Sequence, residues 1–248
     1  MENENYEGIS KIYDMMMLGV DYEGWADYIL GVAKSMGATP KTALDLACGT
    51  GSTTIPLARR GLKMSGLDLS SPMLQIAEEK SKKAGVSISY HCQNMLSMDF
   101  SESFDMVVSF QDGINYLTGE GDFEKLAENV SRILKKGGIF LFDINLVDQY
   151  SASETTVVDL DEIYLVYENH YDEDRRIWHI KVTGFLPEGD LYRKFEEIHE
   201  EKKHDLKEVE SAFCRHGMKI YAVYAMFTQD PPTEHTRRVL VAAQKTVP

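Results

Sequence analysis

Cysteine is scarce in this sequence. Only three occur among 248 residues, Cys48, Cys92 and Cys214, and they form neither a Cys-x-x-Cys pair nor a cysteine–histidine ligand pattern. An odd number of scattered cysteines indicates neither a disulfide framework nor a zinc site. We therefore expect no metal site, and a reducing compartment.

Long apolar runs are absent as well. The first residues are acidic rather than basic, and the nearest apolar run, Met15 to Leu18, is too short for the core of a signal peptide or for a membrane span. We therefore expect a cytoplasmic protein with no membrane partner.

The sequence has no excess of positive charge. It contains 26 Lys and Arg against 40 Asp and Glu, and the formal net charge of −14 is divided evenly between residues 1–145 and residues 146–248. Binding a nucleic-acid duplex requires a basic face that displaces counterions, so we expect no nucleic-acid partner. The hydrophobic fraction of 43% can fill a substantial core and excludes a disordered chain.

From Thr42 onward, short apolar runs alternate with helical patterns, which is typical of βαβ units. Helices are predicted around Trp25 to Met36, after an N-cap at Ser71, and from an N-cap at Asp122 to a stop at Gly137. The predicted strands are Thr42 to Cys48, Lys63 to Leu69, Val86 to His91, Phe104 to Phe110 and Gly138 to Ile144. The fold class is therefore α/β, with a Rossmann-like, doubly wound and mostly parallel sheet.

The alternation of predicted strands and helices ends at Asn145. Three strand-like stretches predict an antiparallel meander, and a helix with Asp205 as N-cap and Glu208 as its capping-box partner follows. A final antiparallel hairpin is predicted from Lys219 to Phe227 and from Arg238 to Gln244. The meander stretches are Ile163 to Tyr171, Ile177 to Leu186 and Leu191 to Lys203. We expect one domain from residues 1–145 and 204–248, with residues 146–203 inserted as a small antiparallel subdomain.

The segment Leu44 to Ser52, LDLACGTGS, takes an apolar strand into two glycines and then into a helix. Glycine lets the backbone approach a ligand closely, and a helix N-terminus offers unpaired N–H groups to an anionic group. A nucleotide-like ligand is indicated, although a strand-to-helix turn can also need glycine for steric reasons alone.

Asp68 ends the second predicted strand, 19 residues after Gly49, where an acid in a doubly wound sheet can accept both hydroxyls of a ribose. Both a dinucleotide and S-adenosylmethionine use such a crevice. The dinucleotide fingerprint has a third glycine where Thr54 stands. Asp45 would repel a phosphate but attract an ammonium group, or else orient the loop by accepting backbone N–H groups. The sequence therefore favours S-adenosylmethionine.

At these residues the chain resembles the class I S-adenosylmethionine-dependent methyltransferases. The segment Asp45 to Gly51, DLACGTG, is similar to the family's first motif as it occurs in the small-molecule branch, which includes glycine N-methyltransferase-like enzymes. Gly66 to Leu74 is similar to the ribose motif, Phe104 to Val108 to the fourth strand, and Leu134 to Gly138 to the turn into the fifth. The terminal antiparallel pair is similar to the family's addition to the sheet.

The resemblance implies S-adenosylmethionine as cofactor and a set of residues that bind it. The glycines would pass under its methionyl and ribose parts, Asp68 would hold the ribose hydroxyls, and Tyr13 would close over it. Leu69 and Met73 would flank the adenine, and Asn94 and Met95 would contact its edge. The Phe110 carbonyl would accept a hydrogen bond from the methionyl ammonium. The implied set is Tyr13, Asp45, Ala47, Gly49, Gly51, Asp68, Leu69, Met73, Asn94, Met95 and Phe110.

Candidates for acceptor contact are Asp112, Asn115, Tyr116 and Asn145, because ligands sit beyond the carboxyl ends of the strands. Alternatively, Asp112 forms part of a turn and Tyr116 packs on the next helix. We name no catalytic base, since methyl transfer gains much of its rate from alignment. The meander resembles a cover over the acceptor site, but alternation turns about half of its side chains to solvent. Its candidates are His170, Trp178, His179, Arg193, Glu197 and His199.

We therefore expect a methyltransferase that uses S-adenosylmethionine and acts on a small molecule, with an amine nitrogen slightly preferred over oxygen. One alternative is an NAD(P)-dependent oxidoreductase, which a nicotinamide cofactor would protect from heat. Another is a non-catalytic regulatory protein that binds the cofactor without turnover.

Overall fold

The computed structural model describes residues 8–146, 154–160 and 163–246. Residues 1–7, 147–153, 161–162 and 247–248 lie outside it, as do the parts of the predicted domains that fall on them. The helices are α1 (Tyr13–Met16), α2 (Tyr22–Ser35), α3 (Thr54–Arg59), α4 (Ser71–Ala84), α5 (Asp122–Ile133) and α6 (Leu206–Arg215). A short 3₁₀ turn, Ile9–Lys11, precedes α1.

The main sheet has seven strands in the order β10-β11-β5-β4-β1-β2-β3. The strands β1 to β5 run parallel, and β11 pairs antiparallel with both β5 and β10. They are β1 (Thr42–Leu46), β2 (Lys63–Asp68), β3 (Ser89–Cys92), β4 (Phe104–Ser109), β5 (Leu134–Asn145), β10 (Met218–Ala225) and β11 (Arg238–Lys245). The predicted Rossmann-like sheet with a C-terminal antiparallel hairpin is confirmed.

A second sheet has four antiparallel strands in the order β6-β7-β8-β9, placed in the chain between β5 and α6. Its strands are β6 (Glu154–Leu160), β7 (Ile163–Asp172), β8 (Ile177–Glu188) and β9 (Leu191–Lys202). The separate antiparallel sheet is therefore confirmed. Strand β6 was not predicted, because its segment ETTVVDL has neither an extended apolar run nor clear alternation.

The core has one layer on each face of the main sheet, as side-chain alternation along β5 requires. Phe140 and Phe142 point to one face, where they meet Phe213 of α6. Ile139 and Leu141 point to the other face, in the same buried cluster as residues of α2. The inner strands β1, β2, β4, β5 and β11 are buried on both faces over most of their length, which explains their nearly continuous apolar sequences.

Some predicted helix ends were wrong. The cap of α4 is Ser70, whose hydroxyl accepts from the Met73 N–H, and the cap of α5 is Gly121 rather than Asp122. Helix α5 ends at Ile133, before Gly137, because β5 begins directly after it. The predicted capping box on α6 is absent: Asp205 accepts from the Lys207 N–H, and Glu208 pairs with Arg176 instead.

Within the described ranges, no helix is long and apolar enough to cross a membrane.

We predict opposite effects for the same substitution at two glycines. A Cβ on Gly184 of β8 would overlap the ring of Phe195, its partner on β9, whereas a Cβ on Gly31 of α2 would meet nothing. Gly184→Ala should lower the free energy of unfolding by about 1–3 kcal/mol. Gly31→Ala should raise it by about 0.5–1 kcal/mol, because alanine is the better helix former. Urea denaturation measures both, and equal effects would contradict the close packing of Phe195 on Gly184.

Candidate functional site

A cavity of about 310 Å³ opens beyond the carboxyl ends of β1, β2 and β4. The N-terminal segment and the end of β9 also contribute to its walls. Its lining consists of Tyr13, Met17, Ala47, Gly49, Leu67, Asp68, Leu69, Met73, Gln93, Met95, Gln111, Asp112, Gly113, Tyr116 and Glu201. A second, much smaller cavity of about 30 Å³ lies against the glycine loop and includes Asp45 and Phe110.

The glycine loop and the end of β2 are joined by Asp68. Its Oδ2 accepts from the Gly49 N–H at 2.8 Å, and its Oδ1 accepts from the Ser70 N–H at 2.8 Å. Burial raises the pKa of Asp68, while these backbone hydrogen bonds act in the opposite direction. The backbone at Gly49 has φ of +52°, a conformation that favours glycine. The loop is therefore set by the carboxylate that we expect to receive the ribose.

Asp45 lies buried at the end of β1 and accepts a hydrogen bond of 2.6 Å from the hydroxyl of Thr54. Burial raises the pKa of Asp45 to about 7, and the bond from Thr54 lowers it. Thr54 occupies the place of the third dinucleotide glycine. In this chain the hydrogen bond from the Thr54 side chain links the first turn of α3 to β1. The side chain at this position therefore has a structural role.

The turn after β4 is strained. Two successive residues, Gln111 and Asp112, have φ of +62° and +66°, which non-glycine residues adopt rarely. Their N–H groups donate to the carboxylate of Asp143, at 3.2 and 3.4 Å. Arg238 donates to Asp143 and also to Asp112, the latter at 2.7 Å. These contacts fix the backbone of the turn and hold the Asp112 side chain at the cavity.

Glu201, near the end of β9, reaches the same part of the cavity. Burial, together with the nearby carboxylate of Asp112, raises the pKa of Glu201 to about 8. Asp143 acts in the same direction and Arg238 in the opposite one. This end of the cavity thus combines two carboxyl side chains with an arginine that is already paired.

The structure brings most of the expected cofactor residues together. The main cavity includes Tyr13, Ala47, Gly49, Asp68, Leu69, Met73 and Met95, and the small cavity includes Asp45 and Phe110. Gly51 lies outside the main lining, but a Cβ there would come within 2.8 Å of the Tyr90 hydroxyl. Asn94 is exposed, and its Oδ1 accepts from the Leu96 N–H, while its neighbour Gln93 lines the cavity.

Two of the four expected acceptor residues, Asp112 and Tyr116, line the cavity. Asn115 is buried outside it: its Nδ2 donates to the Lys202 carbonyl at 3.0 Å, and its Oδ1 accepts from the Asn145 N–H at 3.2 Å. Asn115 therefore links the turn after β4 to β5 and to the end of β9. Asn145 is likewise absent from the cavity lining.

Sequence reasoning missed Gln93 and Glu201, and it did not foresee Arg238 as the partner of Asp112. Gln93 directly precedes the expected Asn94, so it was one position away. Glu201 shares an alternating face with Glu197 and His199, a pattern that the sequence contains. Which face of β9 turns inward, however, depends on packing.

The residues present fit S-adenosylmethionine. The Nε2 of Gln111 and the Oδ1 of Asp112 are buried without a hydrogen-bond partner, and both side chains line the cavity, so a polar ligand would satisfy them. Leu69, Met73 and Met95 offer an apolar surface for an adenine. The described residues contain no group of three or more His, Cys, Asp or Glu that could hold a metal ion.

Comparisons with known proteins identify the family. A family described as "Methyltransferase domain" matches residues 43–138. The chain is 31% identical to the Bacillus subtilis protein named "Putative methyltransferase YqeM", over 97% of each chain. The fold is similar to a solved S-adenosylmethionine-dependent methyltransferase from Clostridium acetobutylicum, with a TM-score of 0.86, 28% identity and coverage of 96% of this chain and 98% of that one.

It is also similar in fold to CalS10, described as an amino pentose methyltransferase from Micromonospora echinaspora, with a TM-score of 0.75, 18% identity and coverage of 99% and 100%. The chain belongs to the class I S-adenosylmethionine-dependent methyltransferases, and it is therefore an enzyme with S-adenosylmethionine as its cofactor. The comparisons give no support to an NAD(P)-dependent oxidoreductase or to a non-catalytic regulatory protein.

We predict that Asp68→Asn weakens binding of S-adenosylhomocysteine by about 10–150-fold, since hydrogen bonds to a charged group contribute about 1.5–3 kcal/mol. Isothermal titration calorimetry measures the dissociation constant. Asp99→Asn, at an exposed aspartate, is the matched control and should leave it unchanged. Unaltered affinity in a folded Asp68→Asn protein would overturn the ribose assignment.

We also predict that Glu201→Gln becomes progressively more stabilising as the pH rises. The pKa of Glu201 is about 8 in the folded protein, against an ordinary value of 4.5. The native state therefore retains a proton that the unfolded chain releases, so the stability contributed by this group is present at low pH and is lost as the pH rises toward 8. The difference in Tm between variant and wild type should grow from pH 5 to pH 9.

Thermal melts at pH 5, 7 and 9 measure this difference. Glu210→Gln, at an exposed position on α6, should show no such trend. A pH-independent difference for Glu201→Gln would mean that Glu201 is not held in a desolvated site.

Proposed function

We propose that this methyltransferase acts on a small molecule and transfers the methyl group to an amine nitrogen in preference to oxygen. The observation that carries the proposal is the pair of carboxyl side chains, Asp112 and Glu201, in one part of the cavity lining. Arg238, the cation paired with Asp112, is also committed to Asp143. An ammonium group is the complementary ligand for such a surface.

The cavity divides into two parts of different chemistry. Asp68, Leu69, Met73 and Met95 would hold the cofactor, which supplies a methyl group on a positively charged sulfur when bound. Asp112, Tyr116 and Glu201 would contact the acceptor. Because the reaction is an in-line displacement, the main task of these side chains is to align the acceptor and exclude water.

The second sheet is proposed as a lid over the acceptor part of the cavity, in a subdomain of residues 146–203 inserted into a domain of residues 1–145 and 204–248. The Lys202 N–H at the end of β9 donates to the Asn115 carbonyl at 2.6 Å. Glu197 of the same strand accepts from the N–H groups of Gly8 and Ile9, each at 3.0 Å. These bonds support a lid that also fixes the N-terminal segment carrying Tyr13.

Two further points support a small-molecule acceptor. The cavity is partly enclosed, and the net charge of −14 disfavours a nucleic acid as partner. The fold is shared with CalS10, whose description as an amino pentose methyltransferase is compatible with an amine acceptor. A cytoplasmic location stays a prediction.

The proposal is tested with acceptors that are matched except at the receiving atom. Glucosamine and glucose form one pair, and tyramine, which carries both an amine and a phenol, is a second probe. We expect methyl incorporation from labelled S-adenosylmethionine into glucosamine at least about tenfold above glucose, and methylation of tyramine at nitrogen by mass spectrometry. Methylation at oxygen in both probes would overturn the preference for nitrogen.

Glu201→Gln should raise the KM of the amine acceptor about 10–100-fold, because a bound ammonium group favours the ionised form of Glu201 and glutamine cannot supply that charge, while affinity for S-adenosylhomocysteine stays unchanged. Glu200→Gln, next to it on β9, is the control. An unchanged KM for Glu201→Gln would show that this carboxyl group does not recognise the acceptor.

A further inference from the structure

Strand β9 presents an alternating row of polar side chains to the interior. Glu197 and His199 are buried, and Glu201 lines the cavity, whereas Ile198 between them is 59% exposed. The side chains of Glu197 and His199 are only 4% and 5% exposed. Burying an imidazole and a carboxylate costs free energy of folding unless the two groups are paired. Their positions therefore suggest a functional role.

Glu197 and His199 form the inner part of a series of polar contacts that begins at the cavity wall. The hydroxyl of Tyr116, which lines the cavity, lies 3.3 Å from His199 Nδ1 in hydrogen-bonding geometry. On the other side of the imidazole, His199 Nε2 lies 3.3 Å from Glu197 Oε2, within ion-pair distance although the angles are not those of a hydrogen bond. The remaining oxygen of Glu197 accepts from the N–H groups of Gly8 and Ile9.

The order of donors and acceptors follows from these partners. Glu197 accepts two backbone N–H groups through one oxygen, which favours its ionised form. An ionised carboxylate beside Nε2 favours the tautomer that carries its proton on Nε2. His199 Nδ1 then accepts from the Tyr116 hydroxyl, as the base of an activated hydroxyl requires.

We propose that Tyr116, His199 and Glu197 form a proton relay that deprotonates the acceptor, with Tyr116 as the residue that touches the acceptor and the other two as positioning residues. The inference rests on the proposed function, since an ammonium acceptor has no lone pair until it loses a proton. The N–H bond of the ammonium breaks as an O–H bond forms on Tyr116. The original phenol proton passes to His199 Nδ1, and the imidazolium formed is balanced by Glu197.

Several other titratable groups lie nearby. Asp112 from the turn after β4, Glu201 from β9 and Tyr13 from α1 line the same cavity, while β8 places Ile180 opposite His199. Asp112 and Glu201 would attract the cationic acceptor, and neither joins Tyr116 to His199. The relay is therefore separate from the carboxyl groups that carry the proposed recognition.

The first test needs no acceptor. Two-bond ¹H–¹⁵N NMR spectra of the full-length protein at pH 8 report the tautomer of His199, assigned by comparison with His199→Gln. The relay requires a neutral ring with the proton on Nε2. A proton on Nδ1 would overturn the relay, because Nδ1 could then only donate to Tyr116, and a doubly protonated ring would overturn it as well.

The second test uses the pH profile of kcat with an amine that the wild type methylates. Tyr116→Phe should lower kcat by about 10²–10⁴-fold at pH 7, the range for a general base. Glu197→Gln keeps an oxygen for Gly8 and Ile9 but removes the charge, and should lower kcat in the same direction. Both losses should shrink as the pH approaches about 10, where an alkylamine deprotonates without help.

Glu196→Gln, an outward-facing neighbour on β9, should retain wild-type kcat, and all variants should bind S-adenosylhomocysteine as the wild type does. A loss of equal size at every pH would assign Tyr116 a structural role and refute the relay. Wild-type protein that methylates only oxygen, while His199 carries its proton on Nε2, would refute the proposed amine preference and leave the relay to serve a hydroxyl acceptor. The two failures are thus distinguishable.

Discussion

The contact on which the site depends is the one between Asp143 and the turn after β4. Two successive residues with left-handed backbone, Gln111 and Asp112, would be unfavourable by about 1–3 kcal/mol each without compensation. Asp143 accepts both of their N–H groups, and Arg238 neutralises its buried charge. The strain is therefore tolerated because neighbouring strands β5 and β11 supply both charges, and its result is a turn that directs two polar side chains into the cavity.

The same arrangement links the cavity to the rest of the molecule. Asn115, three residues beyond Asp112, joins this turn to β5 and to the end of β9, and so connects both sheets. At the other end of the inward-facing row on β9, Glu197 binds the backbone of the N-terminal segment. A cavity whose walls come from six separate parts of the chain is thus held by polar contacts that are buried or partly buried. Such contacts fix geometry more strictly than apolar packing alone.

The acidic side chains around the cavity have different roles because they have different partners. Asp68 is surrounded by backbone N–H groups and orients the glycine loop, whereas Asp45 is committed to Thr54. For Glu201 the nearby Arg238 offsets burial only in part, and its raised pKa reflects burial near other carboxylates. Acidic residues therefore stabilise the loop at one end of the cavity, and at the other end, as we propose, they recognise the ligand.

Much of this protein was determined by local sequence. Alternating apolar runs and helical periods predicted the doubly wound sheet, and the spacing from Gly49 to Asp68 predicted a crevice at the carboxyl ends of its strands, since these features depend on short-range backbone geometry. Tertiary structure alone decided which face of β9 turns inward and that Arg238 would meet Asp112, 126 residues away in the chain. Alternation of side chains along a strand does not show which of its two faces turns inward. Two residues so far apart in the chain become partners only when the order of strands in the sheet brings them together.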